Sequence, residues 1–326
     1  MTTQKQWRPA IIHHPAPITI IGAGLIGATI AFTLRRAGYA VTLWDADLPG
    51  AAWKAGAGML TPDGEGLTGC LAQKARESLR LWPGFARDLE AQSGVNVHFR
   101  EGLERTQPDG SRRMTPGEGQ VHPPSVVQAA LHGLEVRRET YTLSPSPGSV
   151  LAEQGGGSAS RPTSSAPFPL TILAAGAFSA CFGLPVFPVQ GQALLLEAHS
   201  ERPALFGHRR RGEGAKAYAL ARPDGVYVGA TVRQTACPQP DAHARRWLEQ
   251  ARGQLLPELY AAPVKQTLVG LRPGTADGLP IVGPHPAWPN VLVATGHGRH
   301  GALLAPWTAR EILRLVQERT PLEARA

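Results

Sequence analysis

Two arginines beside glycine-rich turns are the side chains in this sequence best suited to binding a small anion. Arg272 lies in Gly-Leu-Arg-Pro at 270–273, and Arg299 lies in Thr-Gly-His-Gly-Arg-His-Gly at 295–301. A guanidinium is always charged, and its planar fork binds a carboxylate through two hydrogen bonds. Glycines let the backbone approach a flat ligand closely. The pattern therefore indicates a carboxylate site next to a flat ligand.

The elements around Arg299 must position it at a strand-to-helix turn. A short apolar run at 291–294 predicts a strand that ends at Gly296, and a helix is predicted to begin near Gly301. The first N–H groups of a helix have no partner within the helix, and the helix dipole makes that end positive. This turn should therefore favour an anion or the electron-rich edge of a ring.

A second glycine motif lies near the amino terminus. An apolar run at 18–21 leads into Gly22-Ala23-Gly24-Leu25-Ile26-Gly27, a helical stretch follows, and a second apolar run at 41–44 ends at Asp45. This is the dinucleotide-binding fingerprint, with an acid about 20 residues after the first glycine. Asp45 is expected to accept hydrogen bonds from a ribose hydroxyl. Asp47 is the rival acid, but Asp45 follows the apolar run directly.

Composition narrows the classes of protein to consider. The chain has 326 residues and 42% apolar residues, enough for a sizeable core in one or two domains. It has no apolar stretch of the roughly 20 residues that a membrane span needs, and its first residues contain no apolar signal core. Three scattered cysteines show no metal spacing, so we expect no metal site and a reduced, cytoplasmic setting.

The net charge of +8 raises the question of nucleic acid binding. The basic residues are mostly arginines in small groups, without interleaved aromatic residues or a recognised nucleic-acid motif. Solvated basic faces are the favoured interpretation, and we expect neither a nucleic-acid partner nor a membrane partner. A positive field also attracts small anionic substrates.

The remaining pattern predicts an α/β fold built from discontinuous pieces. Helical patterns occur at 71–89, 124–134, 245–256 and 308–317, and strand patterns dominate between 98 and 120 and between 185 and 230. A second strand-to-glycine step at 170–177 resembles another edge of a nucleotide site. The stretch 144–167 is rich in Ser, Gly and Pro and predicts a flexible loop or a degraded hairpin.

These motifs together resemble the FAD-dependent amino-acid oxidases of the D-amino-acid oxidase type, and their glycine oxidase subgroup most closely. The resemblance spans nearly the whole chain. It depends on the two glycine motifs and on the following segments: Ala57–Leu60, Ala174–Ala177, Pro188–Gln192, Val228–Thr231 and Gly270–Pro306.

The resemblance implies a fold and a set of site residues. The fold is a discontinuous FAD-binding Rossmann-like domain (16–80, 121–182 and 275–326) with an inserted, mainly antiparallel β-sheet substrate domain (81–120 and 183–274). Arg272 and Tyr218 would clamp the substrate carboxylate, Arg299 would lie near substrate and flavin, and Val232 would line the pocket. The residues expected to bind FAD, without a covalent link, are Gly22, Gly24, Leu25, Ile26, Gly27, Asp45, Gly58, Met59, Leu60, Ala175, Gly176, Gly298, Arg299, His300, Gly301, Ala302 and Leu303.

The implied activity is oxidative deamination of glycine, with sarcosine and small D-amino acids as further candidate substrates. The products would be the 2-oxo acid (glyoxylate), ammonia or an amine, and H2O2, and the imino acid would feed thiamine thiazole synthesis. The partners are a small amino acid and molecular oxygen, and the family commonly forms homo-oligomers. Three alternatives stay open: a dehydrogenase for D-amino acids or sarcosine with another electron acceptor, an FAD domain acting on modified tRNA, and a flavin-binding protein without turnover.

Two departures from the family pattern concern the cofactor. The stretch 144–167 replaces what is usually regular strand structure, and the loop 53–60 carries one extra residue, with Lys54 and Gly56 among alanines. Both lie in segments expected to approach FAD, so the affinity for FAD is predicted to differ from that of the family.

Overall fold

The computed structural model describes residues 17–106, 111–143, 150–152, 170–200, 205–206, 217–255 and 257–319. Among these residues, no helix combines the length and the hydropathy that crossing a bilayer requires. Most of the Ser/Gly/Pro-rich stretch (144–149 and 153–167) lies outside the described residues. Its middle forms a strand, β8 (Val150–Ala152), which pairs antiparallel with β7 (Tyr141–Leu143).

The first and the last strand of the described chain lie in one six-stranded sheet. Its strands are β1 (Ile18–Ile21), β2 (Val41–Trp44), β6 (Val136–Arg137), β9 (Thr171–Leu173), β15 (Ile281–Pro284) and β16 (Val291–Thr295), in the order β15-β16-β9-β1-β2-β6. All neighbours are parallel except β15 and β16. Central strands buried on both faces are rich in apolar residues, as β1 (Ile-Thr-Ile-Ile) and β16 (Val-Leu-Val-Ala-Thr) are.

The described residues form five α-helices: α1 (Leu25–Arg36), α2 (Gly69–Ser93), α3 (Pro123–Ala130), α4 (Ala242–Leu255) and α5 (Gly301–Arg319). The buried faces of α1 and α5 pack on Ile18 and Ile20 of β1, on β9 and on β16. Strand β1 lies between β2 and β9. The chain continues from β1 to β2 on one side of it and later returns to β9 on its other side. Such a switch point opens a crevice at the carboxyl ends of the strands.

Helix α5 begins at Gly301, as the strand-to-helix turn predicts, and the amphipathic pattern at 308–317 covers only its second part. It contains Pro306, which has no N–H to donate to the carbonyl oxygen of Ala302. That oxygen instead accepts the indole N–H of Trp82 in α2 at 3.1 Å, and the N–H of Trp307 donates to Ser78 Oγ at 3.1 Å. Helix α2 therefore supplies hydrogen bonds that let α5 continue through the proline.

The second sheet has eight strands and is mainly antiparallel. Its strands are β3 (Met59–Leu60), β4 (Arg100–Thr106), β5 (Arg112–Gln120), β10 (Phe187–Leu196), β11 (Leu205–Phe206), β12 (Tyr218–Arg222), β13 (Gly225–Gly229) and β14 (Val264–Gly274), in the order β14-β10-β13-β12-β11-β4-β5-β3. Only β4 and β11 pair in parallel. Helix α4 packs on one face of this sheet through Leu248.

The structure confirms the predicted fold class, a parallel Rossmann-like sheet combined with a mainly antiparallel one. The division into two domains stays a prediction, because α2 runs across the proposed boundary between residues 80 and 81. Strand β3 likewise comes from the first proposed segment but pairs within the antiparallel sheet.

Candidate active site

A cavity of about 880 Å³ lies between the two sheets. It is lined at one end by the first glycine turn and Asp45, and at the other by Tyr218 and Arg272. Small-molecule sites commonly occupy about 300–1,000 Å³, so this volume suits a large ligand together with a small one. The two glycine motifs of the sequence, more than 200 residues apart, therefore line one continuous space.

The first glycine turn has little room for side chains. Gly22 has φ of +101°, and a Cβ there would lie 2.4 Å from the carbonyl oxygen of Ala174. A Cβ at Gly27 would lie 1.8 Å from the carbonyl oxygen of Gly22, so the third glycine lets α1 pack against the turn. No side chain caps α1 at Gly24, and its first turn carries no acid. These N–H groups can therefore serve a phosphate.

Asp45 lies at the end of β2 and lines the cavity. Its Oδ2 accepts the N–H of Ala23 at 2.6 Å and its Oδ1 accepts the N–H of Asp47 at 2.7 Å, so the carboxylate is fixed beside the turn. The rival acid, Asp47, does not line the cavity and pairs with Lys54 Nζ at 2.8 Å. Asp45, rather than Asp47, therefore lies at the cavity beside the first glycine turn.

The antiparallel sheet holds the segment 50–58, which forms one wall of the cavity. The N–H of Leu271 donates to Gly50 O at 2.8 Å, and the hydroxyl of Tyr227 donates to Ala55 O at 3.0 Å. Arg222 Nη1 donates to Gly56 O at 3.2 Å. Three donors from the second sheet thus fix a loop that contacts the first glycine turn through Trp53, 3.2 Å from where a Cβ on Gly24 would lie.

The turn between β16 and α5 forms the opposite wall through Gly298–Leu303. Gly298 has φ of +54°, and a Cβ there would meet nothing within 4 Å, so this backbone faces open space. Burial lowers the pKa of His297 from 6.5 to about 3, and the ring contacts Thr308 Oγ1 at 2.9 Å. Burial, then Arg299 and Arg272, lower the pKa of His300 to about 4. Both imidazoles are therefore neutral at pH 7.

Arg272 lies at the inner end of the cavity because of its place on β14. Strand β14 pairs with β10, where Arg272 is opposite Val189 and Gly270 is opposite Gly191. The guanidinium occupies the space over Gly191, since a Cβ on that glycine would lie 2.2 Å from Arg272 Nη2. Nη1 donates to Thr231 O at 3.1 Å. Among the described residues, no carboxylate forms an ion pair with Arg272, so the remaining donors suit an incoming carboxylate.

Two tyrosines lie beside Arg272. The rings of Tyr218 and Tyr227 stack with centroids 6.0 Å apart and planes 10° apart. Desolvation, then the neighbouring Tyr227, raise the pKa of Tyr218 well above 10, while the field of Arg272 opposes this shift. Tyr218 therefore keeps its proton and can donate it in a hydrogen bond to a carboxylate.

Arg299 and Val232 lie nearer the mouth of the cavity. Arg299 Nε pairs with Glu65 Oε2 at 2.8 Å, and the Arg299 side chain is 52% exposed. Val232 is 57% exposed and follows Thr231, whose Oγ1 accepts the N–H of Gln192 at 3.0 Å. The segment 207–216 lies outside the described residues.

The cavity collects all four predicted catalytic residues and all but two of the residues predicted to bind the cofactor. The exceptions are Gly27, which packs against Gly22, and Leu60, whose side chain is fully buried in the core under α2. Sequence reasoning missed Glu65, Tyr227 and Gly191 as site residues. Gly191 lies in the segment Pro188–Gln192 that carried the resemblance, but Glu65 had no such signal because it is a single acid in a loop.

The described residues fit an elongated dinucleotide. The open space at Gly176 and Gly298, where a Cβ would meet no atom within 4 Å, admits a flat group against the backbone. The uncapped start of α1 suits a pyrophosphate, and Asp45 suits a ribose. No group of three His, Cys, Asp or Glu side chains that could hold a metal ion occurs in the part of the chain that the structure describes.

Comparisons with known proteins give the following matches. The family described as FAD dependent oxidoreductase matches residues 17–109 and 103–315. The bifunctional protein ThiO/ThiG of Nostoc sp. is 30% identical over 92% of this chain and 52% of its own length. The glycine oxidase of Geobacillus kaustophilus is 26% identical over 94% of each chain. A crystal structure of glycine oxidase from that organism has a TM-score of 0.77 at 23% identity, covering 92% of this chain and 94% of its own.

These matches cover the described fold from β1 to α5. The chain spans about half the length of the bifunctional relative, whereas it spans nearly all of the glycine oxidase.

Proposed function

Since the chain belongs to the FAD dependent oxidoreductase family, of the D-amino-acid oxidase type, we propose that it is an amino-acid oxidase acting on glycine. The reaction is glycine, O2 and water giving glyoxylate, ammonia and H2O2. The observation that carries the proposal is the guanidinium of Arg272, which lines the cavity beside the protonated hydroxyl of Tyr218 and has no carboxylate partner among the described residues. Full-length similarity to a glycine oxidase supports the same substrate class.

FAD is the cofactor of this family, and when bound it supplies two-electron chemistry by accepting a hydride. We propose that the residues predicted above hold it: the first glycine turn and Asp45 at the adenosine end, and Gly298–Leu303 at the ring end. The first N–H groups of α5 would favour negative charge on a ring held at that wall, and the neutral His297 and His300 add no charge there.

The chain's own residues bind and orient the substrate. Arg272 and Tyr218 hold the carboxylate and thereby fix the direction of the Cα–H bond, and such positioning contributes much of the rate in enzymes. Val232 limits the space beside the Cα atom, which favours glycine, sarcosine and small D-amino acids. The proposal needs no general base from the protein, because the one proton that must leave before oxidation is that of the substrate amine.

The cellular role, the location and the assembly state are proposals of the same kind. Resemblance to the glycine oxidase subgroup suggests that the imine product serves thiamine thiazole synthesis, in the cytoplasm, by a homo-oligomer. The three cysteines are free and exposed, which agrees with a reducing compartment.

Anaerobic mixing of the FAD-loaded protein with glycine tests the proposal. We expect the visible band of oxidised flavin to bleach with glycine and to return, with H2O2, when air is admitted. The same assay with sarcosine, D-alanine and D-proline shows how large a substrate the pocket accepts. Bleaching without return in air would identify a dehydrogenase, and no bleaching with any of the four would contradict an amino-acid oxidase.

A further inference from the structure

Three charged side chains line the cavity within range of Tyr218 or His300: Arg272, Arg299 and Glu65. Glu65 and Arg299 form an ion pair at 2.8 Å, whereas no described carboxylate pairs with Arg272. The Glu65 side chain is only 17% exposed, so its charge is screened less by solvent than that of a surface acid. The three side chains together carry one net positive charge.

Glu65 is held in place by a buried carboxylate beneath its loop. Glu118 is 3% exposed, and its Oε1 accepts the N–H groups of Asp63 at 2.9 Å and Gly64 at 3.3 Å. Thr61 Oγ1 accepts the same Gly64 N–H at 2.9 Å, and the N–H of Glu65 donates to Thr61 O at 3.1 Å. The loop therefore presents Glu65 to the cavity in one fixed position.

The fields of the three groups overlap within the cavity. After desolvation and Tyr227, the pKa of Tyr218 responds to Arg272, which lowers it, and to Glu65, which raises it. After burial, the pKa of His300 responds to Arg299 and Arg272. A ligand between Tyr218 and His300 is therefore within range of all three charges.

We propose that Glu65 makes this site selective for substrates with a single carboxylate, because it neutralises Arg299 and leaves Arg272 as the uncompensated cation among the described residues that line the cavity. This inference rests on the proposed function, since it concerns the substrate class of the same site. A substrate with a second carboxylate would have to displace Glu65 from Arg299 or approach a like charge, and both cost affinity. Removing the Glu65 charge frees the guanidinium of Arg299 to bind that second carboxylate.

The test compares glycine with iminodiacetate, which carries the same CH2–N group and one more carboxylate. Iminodiacetate, O2 and water would give glyoxylate, glycine and H2O2. In Glu65→Gln, we expect the ratio of kcat/KM for iminodiacetate over glycine to rise about tenfold or more, as for one weakly screened charge interaction. The rise should shrink at high salt. The double variant Glu65→Gln/Arg299→Gln should return the ratio to the wild-type value.

A matched control removes an acid from a comparable ion pair elsewhere. Glu77→Gln breaks the exposed pair between Glu77 and Arg310 and should leave the ratio unchanged. An unchanged ratio in Glu65→Gln, with glycine still oxidised, would overturn the inference and leave the proposed function intact.

Measuring binding without turnover separates the charge selection by Glu65 from the proposed oxidase activity. Acetate and malonate are titrated into the FAD-loaded protein, and the perturbation of the flavin spectrum gives the two Kd values. In Glu65→Gln, the affinity for malonate relative to the affinity for acetate should rise at least about tenfold over the wild-type ratio. That result would support the charge selection even if glycine failed to bleach the wild-type flavin, and equal changes for both anions would contradict it. Arg299→Gln provides a second variant that leaves the loop intact, and there acetate itself should bind more weakly because Glu65 is no longer neutralised.

Discussion

Arg272 is suited to bind a carboxylate because, among the described residues, no acid forms an ion pair with it. Gly191 provides the space for its guanidinium, and Thr231 O accepts one of its hydrogen bonds. The side chain is therefore oriented without being neutralised. At the mouth of the cavity Arg299 differs in this respect, since Glu65 already pairs with it. The two arginines therefore differ in the net charge that each presents to a ligand.

Arg272→Ala should lower kcat/KM for glycine by about 30- to 4000-fold. The change removes one partner of a desolvated charge pair, which costs about 2–5 kcal/mol at about 1.4 kcal/mol per decade. Steady-state H2O2 production measures it, and flavin content should stay at the wild-type value. Arg310→Ala, at an exposed ion pair, serves as the control. Wild-type kinetics in Arg272→Ala would remove Arg272 from the site.

Gly191→Ala should impair carboxylate binding by Arg272 although the arginine itself is not replaced. The added Cβ would lie 2.2 Å from Nη2 and 2.3 Å from Cζ of Arg272, so the flexible side chain must move away from its position. A displacement of about 1 Å costs about 100-fold in reaction rate. We expect a large rise in KM with normal flavin content and normal thermal stability. Gly84→Ala, where a Cβ meets only Arg87 Nη2 at 4.0 Å, is the matched control, and equal kinetics in the two variants would contradict the assigned geometry.

At the scale of elements, the cavity depends on the segment 50–58 and the strands that hold it. Arg222 is central to this contact, because its side chain is only 2% exposed and it pairs with Asp224 at 2.8 Å while donating to Gly56 O. Burial opposes ionisation of Asp224, but hydrogen bonds from His122 and Arg222 hold the pKa of Asp224 well below its usual value. The pair therefore stays charged and couples β12 to the cofactor loop.

Arg222→Leu should destabilise the fold by about 2–4 kcal/mol, because it leaves a partly buried carboxylate and a loop carbonyl without their donor. Urea unfolding measures the loss, and the affinity for FAD should fall as the loop 50–58 loosens. The double variant Arg222→Leu/Asp224→Leu should recover part of the stability but not the affinity. Arg245→Leu, at an exposed pair with Glu249, should change stability by less than about 1 kcal/mol. Similar losses of unfolding free energy in Arg222→Leu and Arg245→Leu would contradict a larger contribution from the buried pair.

The turn between β16 and α5 predicts a dependence of stability on pH. His297 is 3% exposed, and burial lowers its pKa from 6.5 to about 3. Between these values the unfolded chain binds a proton that the folded chain does not, so stability falls as the pH drops below 6.5. His297→Gln should flatten this slope by up to about 1.4 kcal/mol per pH unit. Urea unfolding of both FAD-loaded proteins at pH 7 and pH 5 gives the difference, and parallel slopes would contradict the assignment.

At the scale of the whole molecule, the cavity is a space between two sheets rather than a pocket within one. Its walls come from the carboxyl ends of β1, β2 and β9 on one side and from β12, β13 and β14 on the other. A ligand that fills it therefore contacts elements from both sheets, and its binding energy adds to the stability of the fold.

Removing FAD should lower Tm by about 5 °C relative to protein with FAD at about 100 times its Kd. Binding at that concentration contributes about 2.7 kcal/mol, and a chain of this size shifts by about 2 °C per kcal/mol. Differential scanning fluorimetry measures the change. FMN, which lacks the adenosine half, should restore much less, because it leaves Asp45 and the first glycine turn without a ligand. Equal recovery by FMN and FAD would contradict the placement of the adenosine at Asp45.

Local features of the sequence were sufficient to predict the fold class and most of the cavity wall. The strand, glycine turn, helix and acid between residues 18 and 45 imply their own geometry, since each contact there is short in sequence. The segments that carried the family resemblance predicted Arg272, Tyr218 and Arg299, and the comparisons confirm that resemblance. The continuation of α5 through Pro306 could not be predicted in this way, because it depends on hydrogen bonds that Trp82 and Ser78 supply from α2.

Tertiary structure alone decided which charges meet. Glu65, Glu118 and Arg299 are far apart in the chain, and the interaction between them depends on distances that no sequence pattern encodes. The same holds for Arg222 and Gly56 and for Gly191 and Arg272, where the contact is set by strand register and by a missing Cβ. Sequence by itself determined the kind of fold and its cofactor motif through local periodicity and turn chemistry. The charge of the site was decided only by folding, because electrostatic energy depends on separation in space.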